Sequence, residues 1–406
     1  MLANTFRAFR YRDYLIFWCG LVLGHTGTLI STTAQSWLIF ELTNSPFYLG
    51  LEGLFLGLPR VLFSAFGGAV VDRADRKTVF VATQSAFLLM ALFLGVMTTL
   101  GEIRVWHLLA VSALTGFCVS FEQPVRQTIL HQLVPHDVLP NAVTLYQMVF
   151  NGSLLFGPSI GGALIPFIDT QGCFFVATVG NLIVLITIFM IRIPKAERPA
   201  SAKTVTRDMF EGLHLAWATP IFFALFTVLG IVTFCTKSYT QFMPVFARDI
   251  LDVGAPGLGF LLMAPGAGAI VGGLTLASVR RFPKAHRLLF FLAAGFGCAI
   301  IFFAASRYFP LSLIFLFIAG GFHTTFLSFT ATLLQSHADQ TNRGRIMSLY
   351  GLINRGLGPM GAFPFGLIAT AIGAPSTVAV SGVLTIGLVG YFVLYRKQLR
   401  HARPVA

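Results

Sequence analysis

Twelve apolar stretches, each about 20 residues or longer and set apart by short polar breaks, fill nearly the whole chain and dictate what it can become. A run of that length places its backbone N–H and C=O groups in hydrocarbon, where a helix satisfies them all within one segment. The expected helices run from about Tyr14 to Phe40, Phe47 to Val71, Thr78 to Leu100, Val105 to Phe121, Asn141 to Ile165, a sixth ending near Ile191, then Pro220 to Phe246, Gly257 to Val279, Leu288 to Ala305, Leu311 to Leu334, Ile346 to Ala371 and Thr377 to Leu394. With 56% hydrophobic and only 11% charged residues, 406 residues could not cover such a core as a soluble globule. The fold class is therefore an all-α membrane protein with twelve transmembrane helices.

A formal charge of +13 raises the question of nucleic acid, and the positions of the cations answer it. Most of the 28 Lys and Arg fall in the tails and the even-numbered loops, with Arg104, Arg248 and Arg307 on the opposite side. That asymmetry orients the chain with both termini in the cytoplasm, so the basicity is a topology signal. The expected setting is a bacterial cytoplasmic (inner) membrane, with the lipid bilayer and a small-molecule substrate as partners, no nucleic acid, and a monomer as the working unit. Cys19, Cys118, Cys173, Cys235 and Cys298 lie in or beside apolar spans, which argues against a disulfide framework and gives no metal-like spacing. Arg7, Arg10 and Arg12 precede the first run, but that run is too long for a cleaved signal segment. There is no phosphate-binding loop, helical zinc dyad or hydrolase nucleophile motif, so neither enzymatic activity nor a cofactor is expected.

The two halves of the chain repeat. Gly67 and Gly68 recur as Gly272 and Gly273, Pro59 as Pro265, Thr128 with Leu130 as Thr332 with Leu334, and Leu145 with Tyr146 as Leu349 with Tyr350, all at nearly one offset. Such an offset divides the chain into a bundle at 1–191, a polar linker at 192–218 and a second bundle at 219–406, with a site expected between the halves at mid-depth.

Ionisable groups at that depth cost at least ~2.5 kcal/mol each on insertion scales and mark function by default. They are His25, Glu52, Arg60, Lys237, His323 and Arg355. Glu52 is the one carboxylate well inside an outer-half span and is the first candidate for proton binding, its alternative being a solvated place at the outer rim. It cannot pair directly with Arg60, which lies about 12 Å further along an ideal helix. His25 and His323 are the other proton-coupling candidates, or else interhelical hydrogen-bond donors. Lys237 and Gln241, one α-helical turn apart, and Arg60 and Arg355 are candidates for substrate contact; the arginines could instead be interhelical hubs. Three fixed cations against one interior acid favour an anionic or amphiphilic substrate over a cationic one.

Between the second and third stretches stand Gly68, Asp72, Arg73, Asp75, Arg76 and Lys77. This segment resembles the signature loop of the major facilitator superfamily, with Asp75 where a second glycine is usual. Phe156 to Gly162, including Gly157, Pro158, Gly161 and Gly162, resembles the helix 5 motif associated with antiporters, with Ser153 where an upstream glycine is usual. The segments Phe9 to Gly20, Trp37 to Gly50, Glu122 to Gly162 and Arg343 to Pro375 are similar to the drug and siderophore exporter branch that includes the enterobactin exporter.

The resemblance implies the major facilitator fold, two six-helix bundles whose helices 1, 4, 7 and 10 line a cavity. That places His25, Lys237, Gln241 and His323 best for the cavity. It also implies that Asp72 caps helix 11 and Arg76 meets Glu122 at the inner gate in the outward-facing state. The expected function is a proton-coupled exporter of a drug or siderophore, driven by the proton gradient. An uncoupled facilitator, a lysolipid flippase or a non-transporting sensor is the alternative.

Overall fold

Backbone amides that meet no water fold into helices wherever the apolar stretches run, and the breaks at Asn44, Gly101, Asp169, Gly254 and Gly373 fall on residues with a left-handed or positive-φ backbone. The computed structural model describes residues 6–193, 214–278, 285–340 and 342–395; the side chains of 65, 66, 68–73, 237, 238 and 285 lie outside that description, as does most of the expected linker, 194–213. A short 3-10 turn, Arg7–Arg10, leads into α1 (Arg12–Thr43), followed by α2 (Pro46–Arg73), α3 (Arg76–Thr99) and α4 (Val105–Gln132). Leu139–Met190 is helical throughout except at Asp169, whose φ of 55° splits it into α5 (139–168) and α6 (170–190). α7 (Pro220–Thr236) continues through a 3-10 turn, Lys237–Phe242, and a π turn, Phe246–Ile250. Then come α8 (Gly254–Ser278), α9 (Ala285–Ala305) and α10 (Phe309–His337). In α11 (343–372) a π turn, Ile353–Leu357, joins two straight pieces, and α12 (Ala374–Tyr395) closes the described chain.

Among the described residues, ten helical stretches are long and apolar enough to cross a membrane. Leu139–Met190 counts once among them, and α11, interrupted by its π turn, does not count. Two expected boundaries are corrected: helix 7 was expected to run to Phe246, yet α7 ends at Thr236 and goes on as a 3-10 turn. Helix 4 was expected to end at Phe121, yet α4 continues to Gln132. In this extension Glu122 pairs with Arg126 one turn further on, while Gln127 and His131 are exposed.

Small residues decide which helices touch. α1 lies between α5 and α6, α2 packs on α4, α8 on α10, and α9 on α10 and α12. The repeated glycines do the same job twice: a side chain at Gly67 would strike the carbonyl of Ser120 on α4, and one at Gly272 the carbonyl of Gly321 on α10. The repeated tyrosines also match, since Tyr146 reaches Arg126 on α4 and Tyr350 donates to the carbonyl of Leu327 on α10.

Contacts between the first six and last six helices concentrate on α2 with α11 and α5 with α8. Gly50 meets Ala362, Gly53 meets Pro359, and Gly162 meets Ala255 and Gly259 with no room for a Cβ. All lie toward the face that carries Asn44 and Arg248, so the halves are closed at that face.

Candidate functional site

A cluster of charged side chains among the described residues is built on α4. Glu122 is only 4% exposed and accepts from Arg126 Nη1 at 2.7 Å, with Gln84 of α3 at 3.5 Å on the same oxygen. Arg126 also donates through Nε to Tyr146 Oη at 2.7 Å, and its guanidinium lies 4.1 Å from the Phe150 ring centroid. His25 of α1 packs on the other contact of that ring, 4.3 Å between centroids. Tyr146 and Phe150 are one turn apart on α5, so a single face of α5 meets both Arg126 of α4 and His25 of α1. Arg60 of α2 and Arg355 of α11 lie within electrostatic reach of each other and of Arg126.

A second polar region lies entirely within the first six helices. Glu52 is 4% exposed, so the rim position is not what this structure shows. Ser36 Oγ is 3.2 and 3.1 Å from its two oxygens. Beside it is a cavity of about 60 Å³, lined by Thr28, Ser31, Thr32, Gln35 and Asn181 among others, large enough for water next to the carboxyl. Gln35 is anchored to Ser112 Oγ at 2.6 Å and to the carbonyl of Leu108. Among the described residues no cation pairs with Glu52, so the polar groups around it are neutral.

The remaining expected residues separate. His323 packs its ring on Phe296 of α9, 4.9 Å between centroids. Lys237 and Gln241 do not share a helical face: they lie in the 3-10 turn, where four residues amount to one and a third turns. Pro244, which lacks the N–H that an α-helix would direct at Thr240, accounts for that tightening. Gln241 instead reaches α2, its Nε2 beside Gly53, while the side chain of Lys237 lies outside the described residues.

In the signature loop, the side chains of Asp72 and Arg73 and the surroundings of Gly68 lie outside the described residues. Arg76 and Lys77 open α3, and Lys77 stands 5.5 Å from the Phe189 ring centroid. The partner of Glu122 in this structure is Arg126, not Arg76. Both departures from the family patterns have uses. Asp75, where glycine is usual, caps α3 by accepting from the backbone N–H and hydroxyl of Thr78. Ser153, where glycine is usual, hydrogen-bonds Thr26 of α1 at 3.0 Å. Just beyond it, Gly157 and Gly161 admit α1, and Gly162 and the Pro158 carbonyl meet α8.

Sequence reasoning passed over Arg126, Tyr146 and Phe150 as site residues, and Ser36 and Arg248 as well. Arg248 Nη2 donates to Asn44 Oδ1 at 2.7 Å, and its guanidinium lies 4.0 Å from the Phe40 ring centroid, tying α7 to the end of α1. Its only sequence signal was an isolated cation in a loop otherwise poor in them.

The helical spans and the repeat accord with a membrane transporter, and residues 3–405 match the transmembrane secretion effector family of the major facilitator superfamily. The chain belongs to that family. The transporter is 25% identical over 398 residues to the multidrug efflux pump Tap of Mycolicibacterium fortuitum, covering 95% of this chain and 96% of that protein. It is 21% identical over 382 residues to the staphyloferrin A transporter of Staphylococcus aureus, covering 92% and 94% of the two chains. Among solved structures, a bacterial homologue of the human lysosomal transporter Spinster, inward-facing and unoccupied, matches with a TM-score of 0.73 at 18% identity, over 96% of this chain and 98% of that one. The chain is thus a membrane transporter of the drug and siderophore exporter branch and not an enzyme.

Proposed function

We propose that the chain is a proton-coupled exporter of a small amphiphilic or anionic compound, working as a monomer in a bacterial cytoplasmic membrane with both termini inside. Two six-helix bundles, 1–191 and 219–406, joined by the linker at 192–218, rock about the α2–α11 and α5–α8 contacts in alternating access. The structure described above, closed at the face of Asn44 and Arg248, then corresponds to an inward-facing state. No cofactor is needed, since the proton gradient supplies the energy.

The observation that carries proton coupling is Glu52, a buried carboxyl with neutral partners and a cavity able to hold water beside it. Protonation of Glu52 from outside drives release of the substrate, and loss of that proton inside resets the cycle, with His25 and His323 as further carriers. In the outward-facing state the loop of Asp72, Arg73, Arg76 and Lys77 closes the inner side, with Arg76 drawn to Glu122. Export as the direction is supported by the efflux function named for Tap.

The test uses inverted vesicles with an acidic lumen and a pH-sensitive dye, to which anionic siderophores and then cationic dyes are added. Proton efflux triggered by a compound in the wild type and lost in Glu52→Gln is the expected result. Substrate movement with no proton movement would replace the proposal with an uncoupled facilitator. Binding without movement of either would replace it with a sensor.

A further inference from the structure

Arg60 and Arg355 come from opposite halves of the chain and flank one crossing of α2 and α11. Gly57, one turn before Arg60, is in contact with Met360 and the carbonyl of Gly356, and Gly356 in turn meets Val61. Arg60 and Arg355 therefore occupy helix positions on either side of a single close approach of α2 and α11, within electrostatic reach of each other. Each is set there by a local distortion. Pro59 precedes Arg60 in α2, and Arg355 lies within the π turn Ile353–Leu357, the kind of insertion that turns a side chain off the regular helical stripe. Arg355 is exposed and Arg60 half-buried.

Among the described residues, no carboxylate is within ion-pair distance of either arginine, and the nearby acid, Glu122, is already held by Arg126. Two arginines at mid-span, neither ion-paired with a carboxylate among the described residues, are costly in the empty transporter. A guanidinium matches a planar or tetrahedral oxyanion with parallel N–H donors, and two such groups facing one another can share one anion.

We propose that Arg60 and Arg355 form a clamp for the oxyanionic head group of an amphiphilic substrate, one arginine from each half, so that the bound anion turns a repulsion between the halves into a bridge. This rests on the transporter reading and deepens it by naming the substrate class.

The test takes the purified full-length protein in phosphatidylcholine nanodiscs and titrates 4-butylbenzoate, its methyl ester and 4-butylbenzylammonium, following heat of binding and thermal shift. The carboxylate is expected to bind at least tenfold more tightly than the ester or the cation. Arg60→Gln and Arg355→Gln are each expected to abolish that preference, the double variant to lose no more than either single one, and Arg355→Lys to recover part of it. Arg355, being exposed, is the variant expected to stay folded and monodisperse, which keeps the test decisive if Arg60→Gln does not fold. A second set of nanodiscs containing phosphatidylglycerol separates the sources of the anion: thermal stabilisation without any added probe, lost in the same variants, assigns the clamp to a lipid head group. Equal binding of carboxylate and ester, no binding of the carboxylate, or an undiminished preference in Arg355→Gln would overturn the clamp. The proton-flux assay fails separately, when no compound moves at all, so loss of the clamp and loss of the transporter reading are distinguishable.

Discussion

Arg126 is held by three neighbouring side chains at once. It bonds a buried carboxylate and a phenol and stacks on Phe150. Removing it leaves Glu122 buried without its counter-ion, which in comparable pairs costs about 3–5 kcal/mol. Arg126→Met is therefore expected to lower the thermal midpoint of the detergent-purified protein sharply, and Glu122→Gln in the same chain to restore most of the loss. Thermal unfolding of the four-member cycle measures this, and equal destabilisation in the single and double variants would mean that Arg126 stabilises through packing alone. The one-turn spacing of Glu122 and Arg126 was legible in the sequence. Tyr146 and Phe150 were not, because their spacing shows only that they share a face of α5, while the neighbours of that face depend on how α1 and α4 pack. Asp75 and Ser153 looked like departures from a pattern, and only the hydrogen bonds of each to a neighbouring group reveal a use.

Between elements, the closed face depends on two kinds of contact. One is steric: Gly162 and Gly259 bring the backbones of α5 and α8 together where no side chain fits. The other is polar, the grip of Arg248 on Asn44, whose left-handed φ of 48° ends α1. A hydrogen bond to a charged group contributes about 1.5–3 kcal/mol, enough to change the ratio of two states by tenfold or more. Arg248→Ala is thus expected to populate a form opened at this face. Spin labels on Leu42→Cys and Asp252→Cys, in a chain stripped of its native cysteines, would then show a longer distance absent from the parent; an unchanged distribution would remove Arg248 from the gate. Most helix limits were readable because apolar runs and their breaks are local facts. The end of α4 and the 3-10 turn after α7 were not: in the first, the helix runs on past the apolar stretch through the paired Glu122 and Arg126 to Gln132, and in the second Pro244 tightens one that hydropathy leaves regular.

For the molecule as a whole, the number of crossings depends on how Leu139–Met190 and α11 are counted. A single 52-residue helix would be about 78 Å long, far more than the ~30 Å of hydrocarbon, so the break at Asp169 must lie at a water interface and the stretch must cross twice. α11 is the harder case, since its π turn divides a length that would otherwise span. If it crosses, Gly373 lies outside and the tail with Arg396, Lys397, Arg400 and Arg403 lies in the cytoplasm. If it does not, α12 carries that tail outward and places four cations on the side from which the rest of the chain withholds them, against the charge rule for orientation. Reporter fusions that are active only outside, inserted at Asp169 and Gly373, are therefore expected to be active, and those at His136, Asp339 and the C-terminus silent. A silent reporter at Gly373 together with an active one at the C-terminus would show that α11 does not span. Arg355 would then lie in a half-inserted helix, and the two-bundle reading would fail together with the clamp that depends on it.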